Sequence, residues 1–224
     1  MPIPKWGIDG GNIWGIPEGF DMVNATLAEP LSSVYACQEN INVTLSDTVV
    51  IIGAGPIGCF HAELAKLRGA KQVIMIELND NRLQESLKFG VDHIINSSKE
   101  DPIKLVKEIT HGEGANKVIS ANPSTKSQEQ AIYMCAPGGI VVFFGGVARG
   151  AMTNIDSNHI HYNNLWIYGH YGASSVQCKK AFDLIVSGKF NAKKYITSVM
   201  PLEKISEAIK LVQAGKAMKI VLIP

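Results

Sequence analysis

The sequence predicts an α/β fold: a doubly wound parallel sheet of about six strands with helices on both faces. Two observations carry this prediction. Apolar runs rich in β-branched residues alternate with amphipathic helical stretches along most of the chain. The runs, such as Val49-Val50-Ile51-Ile52, are also apolar at every position rather than at alternate ones. A strand of that kind must be covered on both sides, and right-handed crossovers put helices there.

Taken in order, the first 24 residues hold five glycines and three prolines without either period, and read as an irregular lead-in. Leu27, Leu31, Val34 and Tyr35 then fall at helical spacing with Pro30 in the first turn, which predicts a helix from Ala25 to about Gln38. Strands are predicted at 48–52, 72–76, 93–95, 117–120, 140–144 and 165–168, with a short final one at 220–222. Helices are predicted at 56–67, 79–89, 102–110, 125–134, 175–187 and 202–213. Residues 25–224 therefore read as one domain.

Composition limits the possible roles. Of 224 residues, 46% are hydrophobic and 18% charged, enough apolar surface for a core. Twenty-one basic against 20 acidic residues leave a net charge of +1, which supplies no field for nucleic acid and no polybasic stripe for a membrane. The four cysteines, Cys37, Cys59, Cys135 and Cys178, form no Cys-x-x-Cys pair. With no leader-like start and no apolar run near the roughly 20 residues of a membrane helix, the expected compartment is the reducing cytoplasm.

The most informative segment is Gly53-Ala54-Gly55-Pro56-Ile57-Gly58, a G-x-G-x-x-G directly after a buried strand and opening a helix. In that context Gly53 permits the turn, Gly55 lets backbone approach a pyrophosphate, and Gly58 allows close helix–strand packing. The helix start offers free N–H groups to phosphate, and Pro56 there loses no needed donor. Glu77 follows the end of the second strand, 24 positions after Gly53, where a carboxylate accepts from an adenosine ribose and repels a 2′-phosphate, so NAD is expected over NADP. Arg82 tempers that preference. The alternatives for these residues are a tight turn in any α/β protein, a solvated strand end, and the similar turn of S-adenosylmethionine-binding folds.

Leu27-Ala28-Glu29-Pro30-Leu31, the glycine motif, and Gly138-Gly139 ahead of Val141 together resemble the zinc-type medium-chain alcohol dehydrogenases, in particular their sorbitol (polyol) and threonine dehydrogenase branch. The resemblance implies a Rossmann domain that places NAD for hydride transfer from a small secondary alcohol or polyol. It also implies an N-terminal zinc-binding catalytic domain that has no counterpart here, so the lead-in resembles a linker and the chain alone is expected to bind cofactor without full activity. Catalytic residues stay unassigned. By the same resemblance Glu29 matches a glutamate at the zinc, while Phe144, Gly145 and Gly146 match the strand end lining the nicotinamide. His170 and Tyr171 match the carboxamide side, and Lys219 matches a basic residue reaching the pyrophosphate. Ser120-Ala121-Asn122-Pro123 departs from the family pattern, since Pro123 lacks an N–H. Two other readings are a stand-alone NAD(H)-sensing module, for which a well-packed lead-in would speak, and the nucleotide domain of a zinc-free quinone-reductase-type enzyme.

Three further features have plainer readings. His159-x-His161 offers two imidazoles on one face of a strand, but without a third ligand it reads as an exposed polar turn. Cys59 reads as a buried, inert thiol. Trp166 and Tyr168 in the strand 165–168 are expected at a sheet edge that pairs with a second copy, making a homo-oligomer.

Overall fold

The computed structural model describes residues 2–224. In chain order the elements are α1 (Lys5–Asp9), α2 (Met22–Ala25), α3 (Ala28–Asn40), β1 (Thr48–Ile52), α4 (Pro56–Leu67), β2 (Gln72–Glu77), α5 (Asp80–Ser86), β3 (His93–Asn96) and α6 (Pro102–Ile109). They continue with β4 (Ala115–Ser120), α7 (Thr125–Met134), β5 (Cys135–Phe143), α8 (Ser157–Tyr162), β6 (Trp166–Gly169), α9 (Ser175–Val186), β7 (Ile196–Pro201), α10 (Ile205–Gln213) and β8 (Lys219–Ile223).

Six strands form one parallel sheet in the order β3-β2-β1-β4-β5-β6, the doubly wound order whose switch point lies between β1 and β4. All five residues of β1 are buried, as expected of a central strand covered on both faces. Ile52 sits opposite Ile76 of β2 and Ser120 of β4, so three strands end level. The ladder runs one step further: Gly53 N donates to Ile76 O at 2.7 Å and Ala121 N donates to Ile52 O at 2.9 Å. Val50, Ile52, Ile74, Ile76, Val118 and Val141 meet Val106 of α6 and Ala131, Ile132 and Met134 of α7 in one core. Each fully buried Val, Ile or Met side chain among them contributes about 1.5–3 kcal/mol.

The covering helices start where the sequence places acceptors. Asp101 accepts from Ile103 N ahead of α6, Ser124 accepts from Ser127 N ahead of α7, and Pro56 opens α4 behind Gly55. Among the described residues no helix is long and apolar enough to cross a membrane.

The backbone divides into two compact units, residues 37–171 and residues 2–36 with 172–224. The first contains the whole six-stranded sheet. The second contains α1, α2, α9, α10 and the two-stranded parallel sheet β7–β8. This division departs from the expected boundary at residues 24 and 25, because the lead-in has structure of its own and shares a unit with α9: Trp14 stacks on Phe182 at 6.2 Å and Ser175 Oγ bonds Asn12. The lead-in forms α1 and α2, the latter capped by Asp21, and α3 begins three residues later than predicted. Of residues 2–24 only Gly7 and Asn24 are buried, so the segment lacks the packed character that a stand-alone sensing module would call for.

Other corrections are local. The strand β5 begins at Cys135 rather than 140, with Pro137-Gly138-Gly139 inside a register slip against β4. The segment Ser157–Tyr162 is helical with Asp156 as its cap, so His159 and His161 do not share a strand face. An additional strand, β7, pairs with β8; its half-buried residues alternate with exposed ones.

Candidate functional site

The carboxyl ends of β1, β2 and β4 surround the turn that enters α4. Gly53 holds φ +110°, a conformation side chains rarely adopt, and a Cβ there would lie 3.2 Å from the Asn122 Cβ. A Cβ on Gly58 would lie 1.8 Å from the carbonyl oxygen of Gly53, so the first turn of α4 rests directly on the backbone of the loop. Gly55 differs: it caps α4 at φ −74°, and a Cβ there would meet nothing within 4 Å. The open space lies where the first N–H groups of α4, with Pro56 and Ile57 half-buried beside them, have no intrahelical partner. An anionic group fits this cradle.

Glu77 closes the β2 side. Its Oε2 accepts from Ala54 N at 3.0 Å, and its Oε1 accepts from Leu78 N at 2.7 Å and Asn79 N at 3.3 Å. The carboxylate is thus fixed against the glycine turn. With two lone pairs per oxygen, Oε2 keeps one acceptor site for a ligand hydroxyl. It faces a cleft of about 340 Å³ lined by Gly53, Arg82, Ser97, Asn122, Pro123 and Lys126, among others. Lys126, missed from sequence, is a second cation in this wall; its only signal was its place in the first turn of α7. Pro123, which interrupts the family pattern, precedes Ser124, the cap of α7, so the missing N–H falls just outside the helix.

On the other side of β1, Phe144 N and Gly145 N both donate to Ser120 O, at 3.1 and 2.9 Å. A Cβ on Gly145 would lie 2.3 Å from Asn122 O, so the ends of β4 and β5 touch through backbone. The buried Gln128 donates to Gly145 O at 3.2 Å and accepts from Thr153 Oγ1 at 2.5 Å, tying the following loop to α7. His170 N donates to Phe143 O at 3.2 Å, and the His170 ring stacks on Phe144 at 5.4 Å and 13°. The Tyr171 side chain is fully exposed. Behind Phe144 lies His61 of α4, wholly buried and touching the Phe144 ring edge to face at 4.7 Å. Burial, with a smaller contribution from His170, pushes its pKa down from 6.5 to about 3, so it is neutral.

The structure therefore gathers Gly53, Gly55, Pro56, Ile57, Gly58, Glu77, Arg82, Phe144, Gly145, His170 and Tyr171 into the unit of residues 37–171. Lys219, the first residue of β8, and Glu29 of α3 belong to the other unit. Glu29 is exposed at the wall of a mostly apolar cavity of about 570 Å³, with Trp14, Thr26, Cys178 and Phe182. Among the described residues no three His, Cys, Asp or Glu side chains come together in a way that could hold a metal ion, so Glu29 does not make a zinc site within them. Burial pushes the Cys59 thiol up to about 12, in line with the inert role expected of it. His161 packs against Tyr162, and His159 against Tyr133.

Known proteins resemble this chain in sequence and in fold. The sequence profile of the zinc-binding dehydrogenases matches residues 56–187. An L-threonine 3-dehydrogenase from Bacillus licheniformis is 32% identical over 95% of this chain and 61% of its own length. A D-xylulose reductase A from Aspergillus oryzae is 31% identical over 91% of this chain and 58% of its own. Two solved structures share the fold at lower identity. A Sinorhizobium meliloti 1021 protein described as a zinc-binding dehydrogenase, bound to NADP, has a TM-score of 0.87 at 24% identity and covers 94% of this chain and 62% of its own. A short chain alcohol dehydrogenase from E. coli CFT073, complexed with NADH, has a TM-score of 0.85 at 23% identity, with the same coverages of 94% and 62%. The chain spans about three-fifths of the length of these relatives. By profile and by identity, it belongs to the zinc-binding dehydrogenase family.

Proposed function

We propose that the chain is the NAD(H)-holding part of a dehydrogenase acting on a small secondary alcohol or polyol. The observation that carries this reading is the Glu77 carboxylate, fixed by three backbone N–H groups at the rim of the phosphate cradle. In this reading the N–H groups at the start of α4 bind the pyrophosphate. Glu77 receives a ribose hydroxyl, Arg82 and Lys126 flank the adenosine, and the rest of the dinucleotide crosses the ends of β4 and β5 toward Phe144, Gly145, His170 and Tyr171. When bound, NAD supplies the hydride acceptor; the chain binds and orients it.

The described residues do not assemble a zinc site, and appreciable alcohol oxidation is not expected of the 224-residue chain alone. The exposed edge strand β6, with Trp166 70% exposed, supports pairing with a second copy in a homo-oligomer.

The test is calorimetric titration of the chain with NADH and NADPH, and of its Glu77→Ala variant. NADH is expected to bind at least about tenfold more tightly, the worth of keeping a 2′-phosphate off a fixed carboxylate, and the variant to narrow that gap. Absence of NADH binding, or a preference untouched by Glu77→Ala, overturns the reading.

A further inference from the structure

The imidazole of His61 has no part in holding the cofactor as proposed, yet it is a titratable ring shut off from solvent. It sits in the second turn of α4, wholly buried, and its backbone carbonyl accepts from Gln38 Nε2 at 2.7 Å. That contact fixes the orientation of the Gln38 amide, because the oxygen in that place would face another oxygen. The same Nε2 lies 3.3 Å from His61 Nδ1, so Nδ1 is the acceptor and the ring proton resides on Nε2. His61 Nε2 has no hydrogen-bond partner among the described residues.

From His61 the contacts run in a closed circuit. His61 meets Phe144 at right angles, an arrangement that ring quadrupoles favour, with centroids 4.7 Å apart and an interplanar angle of 89°. Phe144 stacks on His170, whose Nδ1 lies 3.2 Å from Tyr168 Oη. Tyr168 Oη in turn accepts from Asn40 Nδ2 at 2.9 Å. Gln38 and Asn40 are both in the last turn of α3, so the circuit begins and ends on the same piece of helix. Phe144 touches both His61 and His170 just past the end of β5 and stays partly exposed, on the opposite side of β1 from Glu77. A dinucleotide with its adenosine at Glu77 brings its other ring to this end of the sheet.

We propose that His61 is a positioning residue for the nicotinamide half of the cofactor, acting through Phe144: its ring, oriented by Gln38, fixes the aromatic wall on which the nicotinamide rests. This rests on the NAD(H) reading above. A residue that served only to fill the core would affect both halves of the cofactor alike, or neither.

The experiment compares NADH with ADP-ribose, which lacks the nicotinamide, by calorimetry on the 224-residue chain, together with the enhancement of dihydronicotinamide fluorescence on binding. In His61→Asn the Oδ1 still accepts from Gln38 while the ring contact with Phe144 is lost. Gln38→Met keeps the ring and removes the donor that orients it, and it carries the test if His61→Asn does not fold. Both variants are expected to weaken NADH by about three- to tenfold, the worth of one edge-to-face ring contact, with ADP-ribose within about twofold and a reduced fluorescence enhancement. Equal losses for the two ligands, or no loss for either, overturn the proposal while leaving cofactor binding intact. A wild-type chain that binds neither ligand overturns the NAD(H) reading itself, and this proposal with it.

Discussion

Alanine at Gly55 and at Gly58 makes a pair of perturbations whose effects should fall on different observables. At Gly58 the added Cβ would stand 1.8 Å from the Gly53 carbonyl oxygen and 3.0 Å from the carbonyl carbon, both backbone atoms of a turn already hydrogen-bonded to β2. The helix must withdraw from the sheet by more than about 1 Å, an overpacking cost of about 1–3 kcal/mol or more. For a chain of this size that lowers Tm by at least about 3 °C. At Gly55 the Cβ meets nothing, and φ −74° suits alanine. The loss of a favourable N-cap residue and the gain from a stiffer unfolded chain, each under about 1 kcal/mol, nearly cancel. Tm should therefore move by less than about 3 °C. The methyl group nevertheless occupies the approach to the α4 N–H groups, displacing a charge-assisted hydrogen bond worth about 1.5–3 kcal/mol, so NADH affinity should fall about ten- to a hundredfold. Melting followed by circular dichroism and NADH titration by fluorescence read the two effects. A Gly55→Ala chain that melts normally and binds NADH as tightly as wild type would refute the assignment of that open space to phosphate.

Two further predictions concern buried groups. The pKa of His61 is about 3 folded and 6.5 ordinarily, so the unfolded chain binds the extra proton first as the pH drops. This contribution is fully present above pH 6.5 and is lost as the pH falls from there toward 3; it amounts to about 2 kcal/mol between pH 7 and 5, visible as a fall in the urea midpoint that His61→Asn flattens. An unchanged slope in the variant would contradict the buried neutral ring. Burial also pushes the thiols of Cys37, Cys59 and Cys135 up to about 12, whereas Cys178 is partly exposed. Iodoacetamide at pH 8 should therefore add one group to the native chain, at Cys178, as read by peptide mass spectrometry; comparable labelling of Cys59 would show that α4 opens.

The six-stranded sheet was legible because its strands are buried on both faces. Val49–Ile52 and Val73–Ile76 need no partner information to be read as central strands. The phosphate turn was legible because its glycines answer to local geometry: the 1.8 Å clash at Gly58 is set by atoms five residues away. What stayed hidden depends on distant chain. The strand β7 is half exposed and becomes a strand only by pairing with β8, about 20 residues later. The short α8 rests on the Asp156 cap rather than on any apolar period. Lys126 reaches the cleft because Ser124 starts α7 beside β4. The place of His61 is not legible in the sequence, since Gln38 and Phe144, which give it meaning, lie 23 and 83 positions away.

The neighbour relation of β1 has a bearing on how the protein comes into being. The side of β1 away from β2 is closed by β4: Thr48 N takes its acceptor from Asn116, 68 positions along the chain. β1, β2 and β3 can associate as soon as they are made, but the crevice at the switch point has only one wall until β4 has been synthesised and has docked. During translation the glycine turn therefore waits, formed in sequence but unsupported, through more than 60 further residues, with the apolar flank of β1 uncovered. A nascent chain stalled before residue 115 should present that flank to chaperones, and ligand should begin to assist folding only after β4 has left the ribosome.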